Sequence, residues 1–253
     1  GCATWGLEHE MWLGIIADLH ANLEATCAVL KKLDEVRPAK IVCLGDVTGY
    51  YSNPNEVIEI LRERNISIVL GNHDAAVCGL DEPWFFNENA QSAIHWQRAN
   101  VKSEHMAWLR SAVGALRVNC EILAVHGAPG NRDDYILDWL DSMRYIEYLV
   151  TAQARVCFFG HSHRPCIFGD RGIQPRPNHN GLFVLNPHNR YFINPGSVGQ
   201  PRDHDSRAAF GLYETEDRMF EFCRVTYDIE KTMTKTLEAG LPPQLAYRLA
   251  KGK

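Results

Sequence analysis

Ile66-Ser67-Ile68-Val69-Leu70-Gly71-Asn72-His73-Asp74 is an apolar run that stops abruptly in polar residues. A short apolar run closed by Gly and Asn predicts a strand buried on both faces, followed by a tight turn. The same unit occurs twice upstream. Leu13–Ala17 runs into Asp18-Leu19-His20-Ala21-Asn22, and Ile41–Leu44 runs into Gly45-Asp46-Val47-Thr48-Gly49. It occurs twice downstream. Glu121–Val125 ends at His126-Gly127, and Val156–Phe159 ends at Gly160-His161-Ser162-His163.

Helical patterns separate these strands. Asn22 is placed to cap a helix carrying Leu23, Cys27, Leu30 and Leu33 on one face, with Pro38 marking its end. Asn53-Pro54 opens a second helix to about Arg64. A further helix is expected near Met143–Thr151. Residues 81–117 are Trp-rich and read as a helical insertion, with Trp84, Trp96 and Trp108 as packing residues. His9, His95 and His105 are read as structural. Alternating apolar strands and amphipathic helices indicate βαβ units, whose ligands collect at the carboxyl ends of the strands. Beyond Cys166 the short runs separated by Gly, Pro and Asn predict antiparallel strands, and residues 229–249 predict helices broken near Gly240. Residues 1–12 have no clear period and read as a tail, with His9 in it. Residues 13–253 then form a single domain.

Composition narrows the classes. The chain has 253 residues, 45% of them hydrophobic, with 26 Lys+Arg against 31 Asp+Glu and a net charge of −5. That is ordinary for a globular domain, and the acidic balance disfavours a duplex nucleic-acid binder. No apolar run has the length of a membrane span, and no signal peptide is visible. The eight cysteines include no C-x-x-C pair. Core thiols in a reducing cytoplasm are expected. Nothing in the pattern sets an oligomeric state.

All five strand ends carry metal-ligating types: Asp18 and His20, Asp46, Asn72 with His73, His126, and His161 with His163. A D-x-H pair on an extended turn points both side chains one way. Glycines before Asp46, Asn72 and His161 permit sharp turns. Singly each feature is common; their conjunction at one sheet edge predicts a metal site. Imidazole, carboxylate and amide donors without thiolate favour Mn, Fe, Zn, Ni or Co over Ca or Mg.

Asp18-Leu19-His20, Gly45-Asp46, Gly71-Asn72-His73-Asp74, His126 and Gly160-His161-Ser162-His163 resemble, in that order, the motifs of the calcineurin-like metallophosphoesterase superfamily. Gly45–Tyr50 and Asn194–Arg202 are similar to its small bacterial and archaeal phosphodiesterase branch, which includes dinucleoside tetraphosphate hydrolases. The resemblance implies a four-layer αββα sandwich and two divalent transition-metal ions. Asp18, His20 and His163 would hold one ion, Asn72, His126 and His161 the other, and Asp46 would bridge them. His73 would be the catalytic histidine, oriented by Asp74.

Gly49-Tyr50-Tyr51 stands where the protein phosphatase branch continues to its phosphate-gripping Arg, which leans the expectation towards phosphodiesters or small phosphorylated metabolites. The nucleophile would be a metal-bridging hydroxide. Arg202 is the expected substrate-phosphate contact, and Tyr50 a candidate for stacking on a base or leaving group. Arg132 is placed to reach an anion; His179, His188 and His204 read as surface residues. The alternatives are a dinucleoside polyphosphate hydrolase and, in another class, a protein-binding scaffold. The scaffold precedent, a retromer subunit, lacks the His that is present here as His73.

Overall fold

The computed structural model describes residues 12–172, 174–179 and 181–253. Of the expected tail at residues 1–12, residues 1–11, with Cys2 and His9, lie outside them, whereas Trp12 already belongs to the first strand. The elements in chain order are β1 (Trp12–Ile16), α1 (Leu23–Val36), β2 (Lys40–Cys43), α2 (Pro54–Glu63), β3 (Ser67–Ile68), α3 (Asn72–Val77), α4 (Glu88–Asn100), α5 (Ser103–Arg110), β4 (Ala115–Arg117), β5 (Ile122–Val125), α6 (Trp139–Met143), α7 (Ile146–Thr151), β6 (Val156–Phe158), β7 (Cys166–Gly169), β8 (Phe183–Val184), β9 (Tyr191–Asn194), β10 (Ala208–Glu214), β11 (Met219–Val225), α8 (Ile229–Glu238) and α9 (Pro243–Leu249).

Two sheets stack. The first has strand order β3-β2-β1-β10-β11-β8, the second β4-β5-β6-β9-β7. Ile15, Val42, Ala124, Phe158, Ile193 and Phe220 fill the space between them. Leu30 and Leu33 of α1 and Val57 and Leu61 of α2 cover the outer face of the first sheet. Leu149 of α7, with Trp139 of α6, covers that of the second. The result is the αββα sandwich that the family resemblance implies. The Asn22 carboxamide caps α1, accepting from Ala25 N at 3.2 Å. The helices α8 and α9 break at Gly240 as expected and pack over Tyr50 and Tyr51.

Several local expectations are corrected. Residues 115–117 are not helical: they form β4, an edge strand antiparallel to β5. Strand β9 pairs parallel with β6 and antiparallel only with β7, because it lies between them in the second sheet. The expected helix near 143–151 is two short ones. Cys27 is exposed, since the buried stripe of α1 runs through Ala25, Thr26, Val29, Leu30 and Leu33 and passes it by. Trp84 is 73% exposed. Its twelve-residue spacing from Trp96 and Trp108 crosses helix breaks and therefore carries no common face. His95 is exposed, whereas His105 is buried beside Asn55, with Nδ1 3.0 Å from its Oδ1. His179, His188 and His204 are exposed as expected.

Candidate metal centre

The loops after β1, β2, β3, β5 and β6 converge at one edge of the sandwich. Asp18, His20, Asp46, Asn72, His73, Asp74, His126, His161 and His163 are all buried there. Donor atoms of Asp18, His20 and His163 lie within 4.8 Å of one another, as do those of Asp46, His126 and His161. The first sheet supplies Asp18, His20, Asp46 and Asn72; the second supplies the other three imidazoles.

The backbone that delivers them is not extended. Asp18, His20, Asp46, His161 and His163 have φ of +55°, +50°, +51°, +64° and +57°. The period-two argument for Asp18 and His20 is therefore replaced by left-handed turns, at roughly 1–2 kcal/mol each for a residue with a Cβ. Backbone bonds hold the turns: Asp18 N to Gly45 O at 3.0 Å, His20 N to Asp46 O at 2.8 Å, and Gly199 N to Asp18 O at 2.9 Å. Gly71 is needed for close approach rather than for a positive φ, since a Cβ there would lie 2.1 Å from Asp46 Oδ1.

Ring orientation is fixed from behind. His20 Nδ1 donates to Thr48 O at 3.0 Å, His163 Nδ1 to Gln200 O at 2.6 Å, His126 Nδ1 to Leu44 O at 2.8 Å, and His161 Nε2 to Asp133 O at 3.2 Å. A carbonyl can only accept, so each ring's other nitrogen presents a lone pair to the site. His20 Nε2 and His163 Nε2 then face each other at 3.1 Å. His126 Nε2 stands 2.9 Å from Asn72 Oδ1 and 3.4 Å from Asp46 Oδ2. Asp18 Oδ2 is buried without a hydrogen bond. Opposed lone pairs of this kind are satisfied by cations, and the residues fit divalent metal.

The electrostatics agree. Burial works against the charge of Asp46, yet His126, His73 and His20 hold its carboxyl far below the usual range. Burial likewise opposes protonation of His126, but Asp46 and Asp18 push it up to about 9: without a metal, a proton takes the cation's place. Desolvation raises Asp18 to about 7 and lowers His73 to about 4 and His161 to about 3. His20 and His163 are driven well down by the same burial.

The expected Asp74–His73 couple is corrected. The Asp74 carboxylate accepts from Val47 N, Thr48 N, Thr48 Oγ1 and Gly71 N at 2.8–3.3 Å. None of its hydrogen bonds among the described residues reaches the His73 ring, whose Nδ1 is buried without a partner. Asp74 braces the Asp46 loop. The His73 ring is held by packing, 4.6 Å from Tyr50 and 4.7 Å from Phe86 between centroids.

A cleft of about 580 Å³ opens onto Asp46, Asn72, His73, His161 and His163. Arg202 and Tyr50 line it, joined by a 3.2 Å bond from the guanidinium to the hydroxyl. Tyr50 is only 5% exposed, wedged against His20 and His73, so its ring offers no stacking face. Phe85, 97% exposed, and Tyr135, stacked on His161 at 3.8 Å, offer one instead. Arg132 is paired with Asp81 rather than free for an anion. Phe85, Tyr135 and Arg248 of α9 were not singled out from the sequence. Aromatic content in the 81–117 insertion was the one signal pointing to Phe85.

The sequence model of the calcineurin-like phosphoesterase superfamily domain matches residues 11–218. An uncharacterized protein of Methanocaldococcus jannaschii is 35% identical over 247 residues, 95% of this chain and 98% of its own. The crystal structure of a metallophosphoesterase from Sphaerobacter thermophilus is 37% identical with a TM-score of 0.81, covering 96% of this chain and all of that one. A hypothetical protein of Pyrococcus horikoshii OT3 shares the fold at 19% identity, TM-score 0.80, with 96% of this chain and 98% of that one covered.

Two outcomes are expected. A Cβ on Gly49 would lie 2.4 Å from His20 Nδ1 and 2.8 Å from His73 Nδ1, at φ +136°. Gly49→Ala should therefore displace both rings and lower bound metal well below two ions per chain by elemental analysis; two retained ions would refute the crowding. Second, His20, His73, His161 and His163 all have folded pKa values below the unfolded value near 6.5. Their stability contribution is present above that value and lost as pH falls towards 4. Asp18 and Asp74, raised to about 7 and about 6, take up protons in the folded state and offset two of the four. Chelator-treated protein should lose roughly 2–3 kcal/mol per pH unit between pH 6 and 5, read from urea midpoints. A flat profile would contradict this.

Proposed function

This chain belongs to the calcineurin-like phosphoesterase superfamily, and we propose that it hydrolyses phosphodiesters bearing an aromatic or nucleoside substituent at a dinuclear metal centre. The observation that carries the reading is the pair of imidazole lone pairs of His20 and His163, 3.1 Å apart and locked by backbone carbonyls. Asp18, His20 and His163 would hold one ion and Asn72, His126 and His161 the other, with Asp46 between them. Mn, Fe, Zn, Ni or Co suit that donor set. When bound, such a pair supplies Lewis acidity towards phosphoryl oxygens and lowers the pKa of water.

The chain's own groups do the rest. Asp46 Oδ1 accepts from His73 N at 2.9 Å, which fixes His73 at the lip of the site. Its imidazole opens to the cleft and would donate an N–H to the departing oxygen. Arg202 lies over Tyr50, 5.9 Å from the ring centroid, and would hold a phosphoryl oxygen. Phe85 and Tyr135 would stack on the substituent of the ester. A dinucleoside polyphosphate is the second reading, favoured by cationic and aromatic groups beyond the metal ligands in the same cleft. His73 at the metal centre argues against a purely scaffolding role. The buried thiols of Cys43, Cys78 and Cys157 suit a reducing, cytoplasmic setting.

Bis-nitrophenyl phosphate, nitrophenyl phosphate and diadenosine tetraphosphate, each with added manganese, separate the readings. The diester should show the highest kcat/KM. His73→Ala should keep two ions by elemental analysis and lose about 10²–10⁴ in kcat. Unchanged turnover would remove His73 from the chemistry. Phe85→Ala should raise KM for the aryl diester about fivefold or more, as loss of ~1 kcal/mol of stacking requires. An unaltered KM would exclude the platform.

A further inference from the structure

The buried stripe of α4 is Ala90, Ala93, Ile94 and Gln97. The first three are apolar. Gln97 is just as enclosed, and a buried carboxamide is costly unless its hydrogen bonds are made. One loop satisfies both of its ends. Gly49 N donates to Gln97 Oε1 at 2.9 Å, and Gln97 Nε2 donates to Tyr51 O at 2.8 Å. A backbone N–H can only donate and a carbonyl only accept, so these neighbours leave the amide one orientation. The side chain spans two backbone groups on either side of Tyr50.

Tyr50 supports the rings of the site. Its ring centroid lies 4.4 Å from that of His20 and 4.6 Å from that of His73. His73 depends on such support, because its Nδ1 is buried without a partner. Gly49 passes so near that a Cβ there would meet His73 Nδ1 at 2.8 Å, so movement of this loop reaches the imidazole directly. Phe86 packs on the same ring, and its carbonyl accepts from Gln91 Nε2 of α4 at 2.6 Å. Beside Gln97, Arg98 Nε donates to Ala76 O at 2.8 Å, on α3, the helix that carries His73. One turn of α4 thus bonds both the Tyr50 loop and the helix bearing His73, and sets the spacing between them.

We infer that Gln97 is a positioning residue for His73: it fixes the Tyr50 loop against the imidazole and so aims its proton at the departing oxygen. The inference rests on the phosphoesterase reading and gives the helical insertion a part in the chemistry.

Hydrolysis of bis-nitrophenyl phosphate and of diphenyl phosphate by Gln97→Leu, with added manganese, tests it. Phenolate is the poorer leaving group and depends more on a proton from His73. The variant should keep its metal by elemental analysis, and kcat should fall at least about tenfold further on diphenyl phosphate than on bis-nitrophenyl phosphate. An equal fall on both esters, or loss of metal, would make Gln97 a structural residue, and no fall on either would also overturn the inference. If Gln97→Leu does not fold, Gln97→Asn, one methylene too short to span both groups, is measured the same way; a ratio of the two rates equal to that of the unaltered protein overturns it. Placement is read without turnover from the His73 Cε1–H line in the NMR spectrum of chelator-treated protein, assigned by its absence in His73→Ala. With the Tyr50 ring 4.6 Å away, loss of the Gln97 bonds should shift that line, while the line of buried His105 on α5 stays in place. An unmoved His73 line overturns the inference. Absence of any diester hydrolysis in the unaltered protein would instead sink the phosphoesterase reading, and the NMR line would still decide whether Gln97 places His73.

Discussion

His20 Nε2 and His163 Nε2 stand 3.1 Å apart, and neither has a proton to offer the other. Thr48 O and Gln200 O occupy the opposite nitrogens and fix both tautomers. Two buried lone pairs in contact are an unfavourable arrangement in a low-dielectric interior. A positive charge between them reverses the sign of the interaction. At His126, facing Asn72 and Asp46, a proton fills the cation's role when no metal is bound, and one oxygen of Asp18 is left without a hydrogen bond. The site is thus assembled as an electrostatic deficit, and the loops around it keep the deficit from relaxing.

That rigidity is expensive. Five candidate ligands sit in left-handed backbone, which carbon-bearing side chains avoid. They persist because each turn is bonded to another: the Asp18 and His20 turn to the Asp46 loop, and the Asp46 loop to Asp74. The 194–202 loop adds Ser197 Oγ to Asp18 O at 2.9 Å and Asn194 Nδ2 to Gly160 O at 2.8 Å. The buried layer between the sheets and the two helix-facing layers supply the stability against which this local strain is set.

Most of the ligand set was legible in the chain because strand ends and metal donors coincide in sequence. An apolar run followed by Asp, Asn or His announces itself without any knowledge of the fold. What joins distant segments was harder to see. Arg248 and Phe85 reach the cleft only through the packing of α9 and the turn before α4; aromatic content hinted at Phe85, and no local pattern marks Arg248. The part played by Asp74 was misread for a similar reason. The family resemblance suggested a couple with His73, while the Asp74 carboxylate accepts from donors on residues 47 and 48, brought close by the turn after β2. Strand β9 shows the limit of composition: short runs between Gly and Pro look alike whether they pair parallel or antiparallel.

The division of the donor set between the two sheets has a further meaning. Asp18 and His20 come from one layer and His163 from the other; Asp46 and Asn72 come from the first, His126 and His161 from the second. The side chains wedged between those layers, Phe158 and Phe220 among them, therefore act as a gauge block for the gap across which a metal ion would be grasped. A change of volume deep in the hydrophobic seam would alter that gap while every candidate donor stays the same.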